Sequence, residues 1–306
     1  MDLSIIIINY NTNKITSDCI KSIVKNTKGI RYEIIVVDNA SSDGSIEVLQ
    51  KLKKDIKNLI VIKNKDNRGF GPGNNQAIEK TNGKLILLLN TDTILHDNVL
   101  GEMVEWMRKH KNVGVTTCSL KNSDGTIQGT GGYFPTLFRV FSWMFFLDDI
   151  PILDSLIKPF HPVHGQSPFY KGTSQFKKTR EQDWVTGAFL LTRRNVVDQV
   201  GDFDEDYFMY TEEVDYCFRV KKAGWQIWYL PKWSITHLGG ASSTAEFPIV
   251  SEYKGIKIFY KKHNPPWQFF FLRLFLKGGA ILRMIIFGAI KGKEAMGSYA
   301  KAYQVA

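Results

Sequence analysis

Apolar residues in the first ninety positions fall into short solid blocks separated by stretches with helical spacing. Residues 4–8 and 32–37 are β-branched apolar runs, the pattern of buried strands. Between them, residues 16–26 place Ile20, Ile23 and Val24 on one helical face, and residues 45–54 do the same with Ile46, Leu49 and Leu52. The pattern then predicts a strand at 59–63, a helix at 73–81 and a strand at 85–89. Strand–helix alternation with short connections predicts an α/β fold, a mostly parallel sheet flanked by helices. Ligands of such sheets sit beyond the carboxyl ends of the strands.

Those ends are polar in all four cases. They read Asn9-Tyr10-Asn11, then Asp38-Asn39-Ala40-Ser41-Ser42-Asp43-Gly44, then Asn67-Arg68-Gly69-Phe70-Gly71-Pro72-Gly73, then Asn90-Thr91-Asp92. Four separate segments are thereby expected to converge on one edge.

Residues 134–182 break the alternation. They are rich in aromatics (Phe138, Phe141, Trp143, Phe145, Phe146), then loop-like around Pro159, Pro162 and Pro168, as in an insertion or an acceptor-side segment. Regular structure is predicted to resume at 184–192, with helices near 196–200 and from Thr211 to Gly224, and a strand at 225–230. Beyond Pro248 the chain reads as helical and basic, so the expected division is a domain at 1–247 and a C-terminal helical segment at 248–306.

Composition adds limits. The 306 residues carry 40 Lys and Arg against 30 Asp and Glu, a net charge of +10 that suits a polyanionic partner. The chain has no nucleic-acid recognition motif, so nucleic acid is not the expected partner. Three cysteines without metal-ligand spacing point away from a disulfide framework and towards a reducing compartment. No basic n-region or small-residue cleavage site opens the chain, which reads as a cytoplasmic protein.

Several side chains are candidates for chemistry. Asp92, at a strand end between threonines, suits a hard divalent cation such as Mg²⁺ or Mn²⁺, or else a turn. Asp38 can accept a bond from the ring N–H of a uracil or thymine, or again shape a turn. The glycine-rich segment from Asn67 to Asn75 precedes a helix and can bring backbone N–H groups to a phosphate, with Arg68 adding charge. Glu212, Glu213 and Asp215 lie in the first turn of a helix that Thr211 can cap. One of them can act as a general base, and Asp215 can equally pair with Arg219 at i,i+4. His237, before two glycines, is a second candidate metal ligand.

Together these segments resemble the family 2 glycosyltransferases, the inverting enzymes of GT-A (Rossmann-like) fold, and within them a bacterial rhamnosyltransferase-like branch. The matching stretches are Ile6-Ile-Ile-Asn-Tyr-Asn11, Val36-Val-Asp-Asn-Ala-Ser-Ser-Asp-Gly44, Asn67-Arg-Gly-Phe-Gly-Pro-Gly-Asn-Asn75 and Leu88-Leu-Asn-Thr-Asp-Thr93. Trp184-Val-Thr-Gly-Ala188, Gly201-Asp-Phe-Asp-Glu205, Tyr210-Thr-Glu-Glu-Val-Asp215 and Thr236-His-Leu-Gly-Gly-Ala-Ser242 follow in order.

The resemblance implies roles. Asp38 would hold the base of a dTDP- or UDP-sugar beside Asn9, Tyr10 and Asn11, and Arg68 and Gly69 would lie near the ribose or diphosphate. Asn90, Thr91, Trp184 and Gly187 would complete the donor site. Asp92 would bind the metal as the last acid of a DxD-type motif, with His237 as second ligand. Glu213 would stand at the catalytic base position, with Glu212 and Asp215 as alternatives.

Two positions depart from the family pattern. Asn90 replaces the first acid of the motif, and Glu213 replaces the usual Asp. A catalytically decayed nucleotide-sugar-binding or scaffold protein would show the same changes.

In the stretch 267–291, Arg273, Lys277, Arg283 and Lys291 interrupt an otherwise apolar run and project to one side of a helix. That is the pattern of a helix lying in a membrane interface, or of one packing on a core or a second subunit. The aromatic cluster at 138–146 is a second candidate membrane contact, or a lid. The implied protein is peripheral on the inner face of the cell membrane and acts on a glycan or polyprenyl-diphosphate-linked acceptor in cell-surface polysaccharide synthesis.

Overall fold

The chain opens on β1 (Leu3–Asn9), continues through α1 (Asn13–Asn26), β2 (Tyr32–Asp38), α2 (Ser45–Asp55), β3 (Leu59–Lys63) and α3 (Phe70–Ile78), and reaches β4 (Leu85–Leu89). In this computed structural model, residues 1–150, 153–162, 176–239 and 246–306 are described. Pro168 and residues 240–242 of the last matched stretch lie outside them.

The first seven elements follow the hydrophobic pattern, with α3 set three residues earlier than predicted because Pro72 fits a first helical turn. The next three were not among the predicted elements, although Val99, Leu100, Met103, Val104 and Met107 stand at helical spacing. β5 (Thr93–Ile94), α4 (Val99–Lys109) and β6 (Val113–Lys121) follow β4 directly. Then come β7 (Gly131–Gly132), α5 (Leu137–Met144), a 3-10 turn at Leu147–Asp149 and α6 (Leu153–Ile157). The predicted run at 184–192 is two strands, β9 (Trp184–Val185) and β10 (Phe189–Arg193), after a short β8 (Arg180–Glu181). α7 (Arg194–Val200) and α8 (Glu212–Lys222) lead to β11 (Gln226–His237), which runs seven residues beyond the predicted end. Three helices close the chain: α9 (Glu246–His263), α10 (Pro266–Lys291) and α11 (Lys293–Val305).

The main sheet has the order β3-β2-β1-β4-β10-β6-β11-β5, with β8 on β11. β1, β2, β3 and β4 pair in parallel, as do β6 and β11, while β10 and β5 run antiparallel to their neighbours. The sheet is therefore mostly parallel in its first half and mixed in its second. The chain steps from β1 to β2 and β3 on one side, then crosses through α3 to β4 on the other side of β1, so a crevice opens at the carboxyl ends of β1 and β4.

Strand residues alternate between two cores, as the pleat requires. Ile6, Ile35, Val37, Ile86 and Leu88 face α3, α8 and the C-terminal helices. Ile5, Ile7, Ile34, Val36, Leu85 and Leu87 face α1 and α4. Tyr253, Ile256, Phe259, Leu272 and Leu276 of α9 and α10 join the first core, and the expected boundary at 247/248 falls inside α9.

One expectation about α10 is corrected. Arg283 does not share the basic side of the helix. It is 4% exposed, donates to the carbonyls of Trp143 and Met144 at the end of α5, and stacks on Phe146 at 4.4 Å. A buried guanidinium needs those partners, and the last carbonyls of α5 need a donor.

Candidate active site

The predicted convergence of strand ends forms a cleft of about 500 Å³. Tyr10, Thr12, Asn39, Asn67, Gly69, Asn90, Thr91, Asp92, Gly187, Glu212, Glu213 and His237 contribute to its wall. Backbone strain concentrates at its rim. Asn11, Ala40, Tyr210 and Thr211 are non-glycine residues with φ between 53° and 76°, a conformation that persists only where the surroundings hold it.

Asp92 meets His237 because β5 pairs with the end of β11, placing Thr93 opposite His237. Asp92 Oδ1 lies 3.2 Å from His237 Nε2. His237 Nδ1 lies 2.7 Å from Gln128 Oε1, and the Gln128 amide is fixed because its Nε2 donates to Asn122 Oδ1 and to the His237 carbonyl. Nδ1 therefore carries a proton, and Nε2 faces the Asp92 carboxylate, donating to it when the ring is charged and offering its lone pair to a cation when the ring is neutral. Two electron-rich groups aimed at one point suit a shared cation. Ligand bonds of about 2.1 Å at right angles put two donor atoms about 3 Å apart, close to the observed spacing.

Burial raises the Asp92 carboxyl pKa, but the bond and charge of the protonated His237 ring, with the amides of Asp92 and Gly239, outweigh it and hold the pKa below its ordinary value. Among the described residues no cluster of three or more His, Cys, Asp or Glu forms a metal cage. A two-ligand site is the kind that Mg²⁺ or Mn²⁺ completes with water and substrate phosphates. Asn90 reaches the same point, with Nδ2 3.4 Å from His237 Nε2.

The acids of α8 divide into two kinds. Asp215 is 1% exposed and pairs with Arg219 at 2.8 Å and His263 at 2.6 Å. It does not line the cleft, so the base assignment to Asp215 is corrected to a structural one. Glu212 and Glu213 do line the cleft, and each keeps one carboxylate oxygen with no hydrogen-bond partner. Burial, then the neighbouring Glu213 charge, pushes the Glu212 pKa well above its ordinary range. Burial raises Glu213 less, to about 7. Glu213 also borders a second cavity of about 240 Å³, shared with Trp184, Thr186, His161 and Glu252, and so stands in the wall between the two spaces. Thr211 precedes the helix as predicted, but in a left-handed conformation and without a capping bond from its side chain.

The glycine-rich segment serves a different neighbour from the one predicted. Gly69 has φ +88°, and an added Cβ would lie 2.4 Å from the Phe208 carbonyl oxygen. The Phe70 N–H donates to that same carbonyl at 2.9 Å. The glycine thus lets the 203–208 segment approach the start of α3, and that amide is not free for a phosphate. Arg68 is exposed at the edge and does not line the cleft.

Asp38 is fully buried and accepts from Asn9 Nδ2 at 2.6 Å and the Ser41 N–H at 3.1 Å. Asn9 is buried with it, and Asn11 bonds to Ser41 and Ser42, so these polar residues brace the loops behind Tyr10. Trp184 lies in the wall of the second cavity and Gly187 in that of the first. Gln128, the residue that orients His237, was not foreseen. It stands in irregular chain after β6, where no motif or period marks it.

Residues 4–201 match the family described as Glycosyl transferase family 2. The chain is 25% identical over 265 residues to N-acetylglucosaminyl-diphospho-decaprenol L-rhamnosyltransferase of Mycobacterium tuberculosis, covering 82% of this chain and 81% of that protein. Two solved structures share the fold. S. aureus TarS 1-349 in complex with UDP-GlcNAc has a TM-score of 0.58 at 16% identity, covering 100% of this chain and 83% of that one. The mannosyltransferase PcManGT from Pyrobaculum calidifontis, in complex with GDP-Man and Mn²⁺, has a TM-score of 0.59 at 14% identity, covering 99% and 80%. The chain belongs to glycosyl transferase family 2 and has the GT-A architecture.

Proposed function

We propose that this family 2 glycosyltransferase moves a sugar from a nucleoside-diphosphate donor to an acceptor hydroxyl in one displacement, with inversion at the anomeric carbon. The observation that carries this reading is one cleft lined by both the Asp92–His237 pair and the Glu212–Glu213 pair. Glu213 accepts the proton of the acceptor hydroxyl, whose oxygen then forms a bond to the anomeric carbon from the face opposite the diphosphate. The bond from that carbon to the diphosphate oxygen breaks, and its electron pair leaves with the nucleotide. Glu212, held neutral by burial, lines the same wall without competing for the proton. A divalent cation, Mg²⁺ or Mn²⁺, held by Asp92 and His237 would neutralise charge on the departing diphosphate.

Tyr10 is 39% exposed and offers a ring to the base, with Asn9, Asn11 and Asp38 behind it. On this reading Gly69, with Arg68 at the exposed edge, would face the phosphates, and Asn90, Thr91 and Gly187 the sugar, with Trp184 beyond them in the second cavity. A dTDP- or UDP-sugar fits this reading, and rhamnose is the first candidate because the M. tuberculosis relative is a rhamnosyltransferase. That relative's name also supports a polyprenyl-diphosphate-linked glycan as acceptor, and we place its use in surface polysaccharide synthesis on the inner face of the membrane.

A thermal-shift screen with UDP-, dTDP- and GDP-sugars, with and without Mn²⁺, tests the donor. The reading expects stabilisation by a dTDP- or UDP-sugar that depends on Mn²⁺. Stabilisation by GDP-sugars alone would overturn the choice of a dTDP- or UDP-sugar.

A further inference from the structure

Helix α10 has two apolar faces, and only one is covered. Leu272, Leu276, Ala280 and Phe287 are buried against the body. On the opposite side Trp267, Phe270, Leu274, Ile281 and Ile285 are 45% to 66% exposed. At the helical period these five fall within an arc of about 60°. Phe138 of α5, 60% exposed, continues the surface across an open apolar groove of about 360 Å³ that also takes in Phe141 and Phe271. Contiguous exposed aromatic and aliphatic surface of this kind marks an interaction face.

Its flank is cationic. Arg273 and Lys277 fall beside the ridge at the helical period, and Lys261 of α9 is exposed with its ammonium 5.4 Å from the centre of the Phe269 ring of α10. Burial, and then their charges, lower the pKa of half-buried Lys257, whose ammonium donates to the Val305 carbonyl. Helix α10 itself contains four basic residues and no acidic one. A second copy of this chain would bring the same cations and no matching carboxylate on α10. No described helix is long and apolar enough to cross a membrane. An apolar face with a basic flank on a helix too charged to span suits a helix lying among lipid headgroups.

We propose that the outer face of α10, with Phe138 of α5, docks on an anionic bilayer, the aromatic and aliphatic ridge entering the headgroup boundary and Lys261, Arg273 and Lys277 facing lipid phosphates. The docked face connects to the catalytic helix through α9, whose Gly255 packs on Thr211 and whose His263 pairs with Asp215.

Vesicle flotation of the full chain tests this without donor or turnover, so its failure and the failure of the transfer reading are separate results. The expected result is flotation with vesicles of phosphatidylcholine plus phosphatidylglycerol, not with phosphatidylcholine alone, and release as salt rises. The pair Arg273→Glu and Lys261→Glu should cut the bound fraction by at least about tenfold, at about fivefold per cation. The triple change Trp267→Gln, Phe270→Gln and Ile285→Gln should also reduce it, with melting temperatures at or above that of the parent. The proposal is overturned by absence of flotation, by equal flotation on both vesicle types, or by variants that bind like the parent. It is equally overturned if the chain is a non-floating dimer that the triple change dissociates, which would assign the face to a second copy. Should either variant fail to fold, the lipid and salt dependence of the parent still decides.

Discussion

His263 Nε2 lies 2.6 Å from Asp215 Oδ1, joining the last turn of α9 to the first turns of α8, the helix that carries Glu212 and Glu213. Arg219 takes the other oxygen of the same carboxylate at 2.8 Å. Asp215 is therefore a brace. Asp215→Ala should lower stability by about 3 kcal/mol, the scale for breaking a buried ion pair by removing one partner. Turnover per folded molecule should stay within a fewfold of the parent. Burial raises the Asp215 pKa, but His263 and Arg219 outweigh it and lower it overall. Its stabilisation is thus present above the ordinary carboxylate range and lost as pH falls through the lowered folded value. Denaturant melts at neutral and acid pH check both statements.

Gln128 fixes the His237 ring, so Gln128→Leu should weaken Mn²⁺ binding by about 10- to 100-fold, the usual cost of losing a group that orients a metal ligand. Calorimetry with Mn²⁺ in the presence of nucleoside diphosphate reads the affinity directly. An unchanged affinity would remove His237 from the proposed metal site.

Gly69 is tight against Phe208, and its φ of +88° excludes a side chain at low cost. Gly69→Ala should destabilise the fold by about 1–3 kcal/mol and displace the 203–208 segment. A drop in melting temperature with faster amide exchange at residues 203–208 is the expected signature.

Glu213 links pH to stability in the opposite sense to Asp215. Its folded pKa is raised from the ordinary carboxyl value to about 7, because the buried site disfavours the charge. The associated stability is present at low pH and lost as pH rises through about 7. Glu213→Gln should therefore raise the melting temperature above pH 7 and leave it nearly unchanged below about pH 4, under the ordinary carboxyl value. A variant that is destabilised at every pH would contradict the burial argument.

The sheet's first half was legible because each strand there is a solid apolar run, the signature of burial on both faces. Within residues 93–121 α4 has clear helical spacing, whereas the two strands carry little signal. β5 is two residues long, and Thr116, Thr117 and Ser119 interrupt the apolar pattern of β6. The end of β11 was misread because Pro231 and Lys232 interrupt it at a register shift, after which pairing resumes. Within the site, Asp92 and His237 could be singled out by residue type and context, but their contact depends on the β5–β11 pairing of distant segments. The roles of Asp215 and Arg283 were open in sequence, since i,i+4 spacing and helical phase are shared by braces, bases and surface charges. Partners from α9 and α5 decided them.

The central claim is that Glu213 removes the acceptor proton in a cleft that binds the donor through Asp92 and His237. Single-turnover transfer by Glu213→Gln, with donor and Mn²⁺ saturating, tests it most directly. The expected result is a transfer rate at least about 100-fold below the parent, unchanged donor affinity, and a parent rate that rises with pH through about 7. A Glu213→Gln enzyme that transfers sugar at the parent rate with the same pH profile would contradict it.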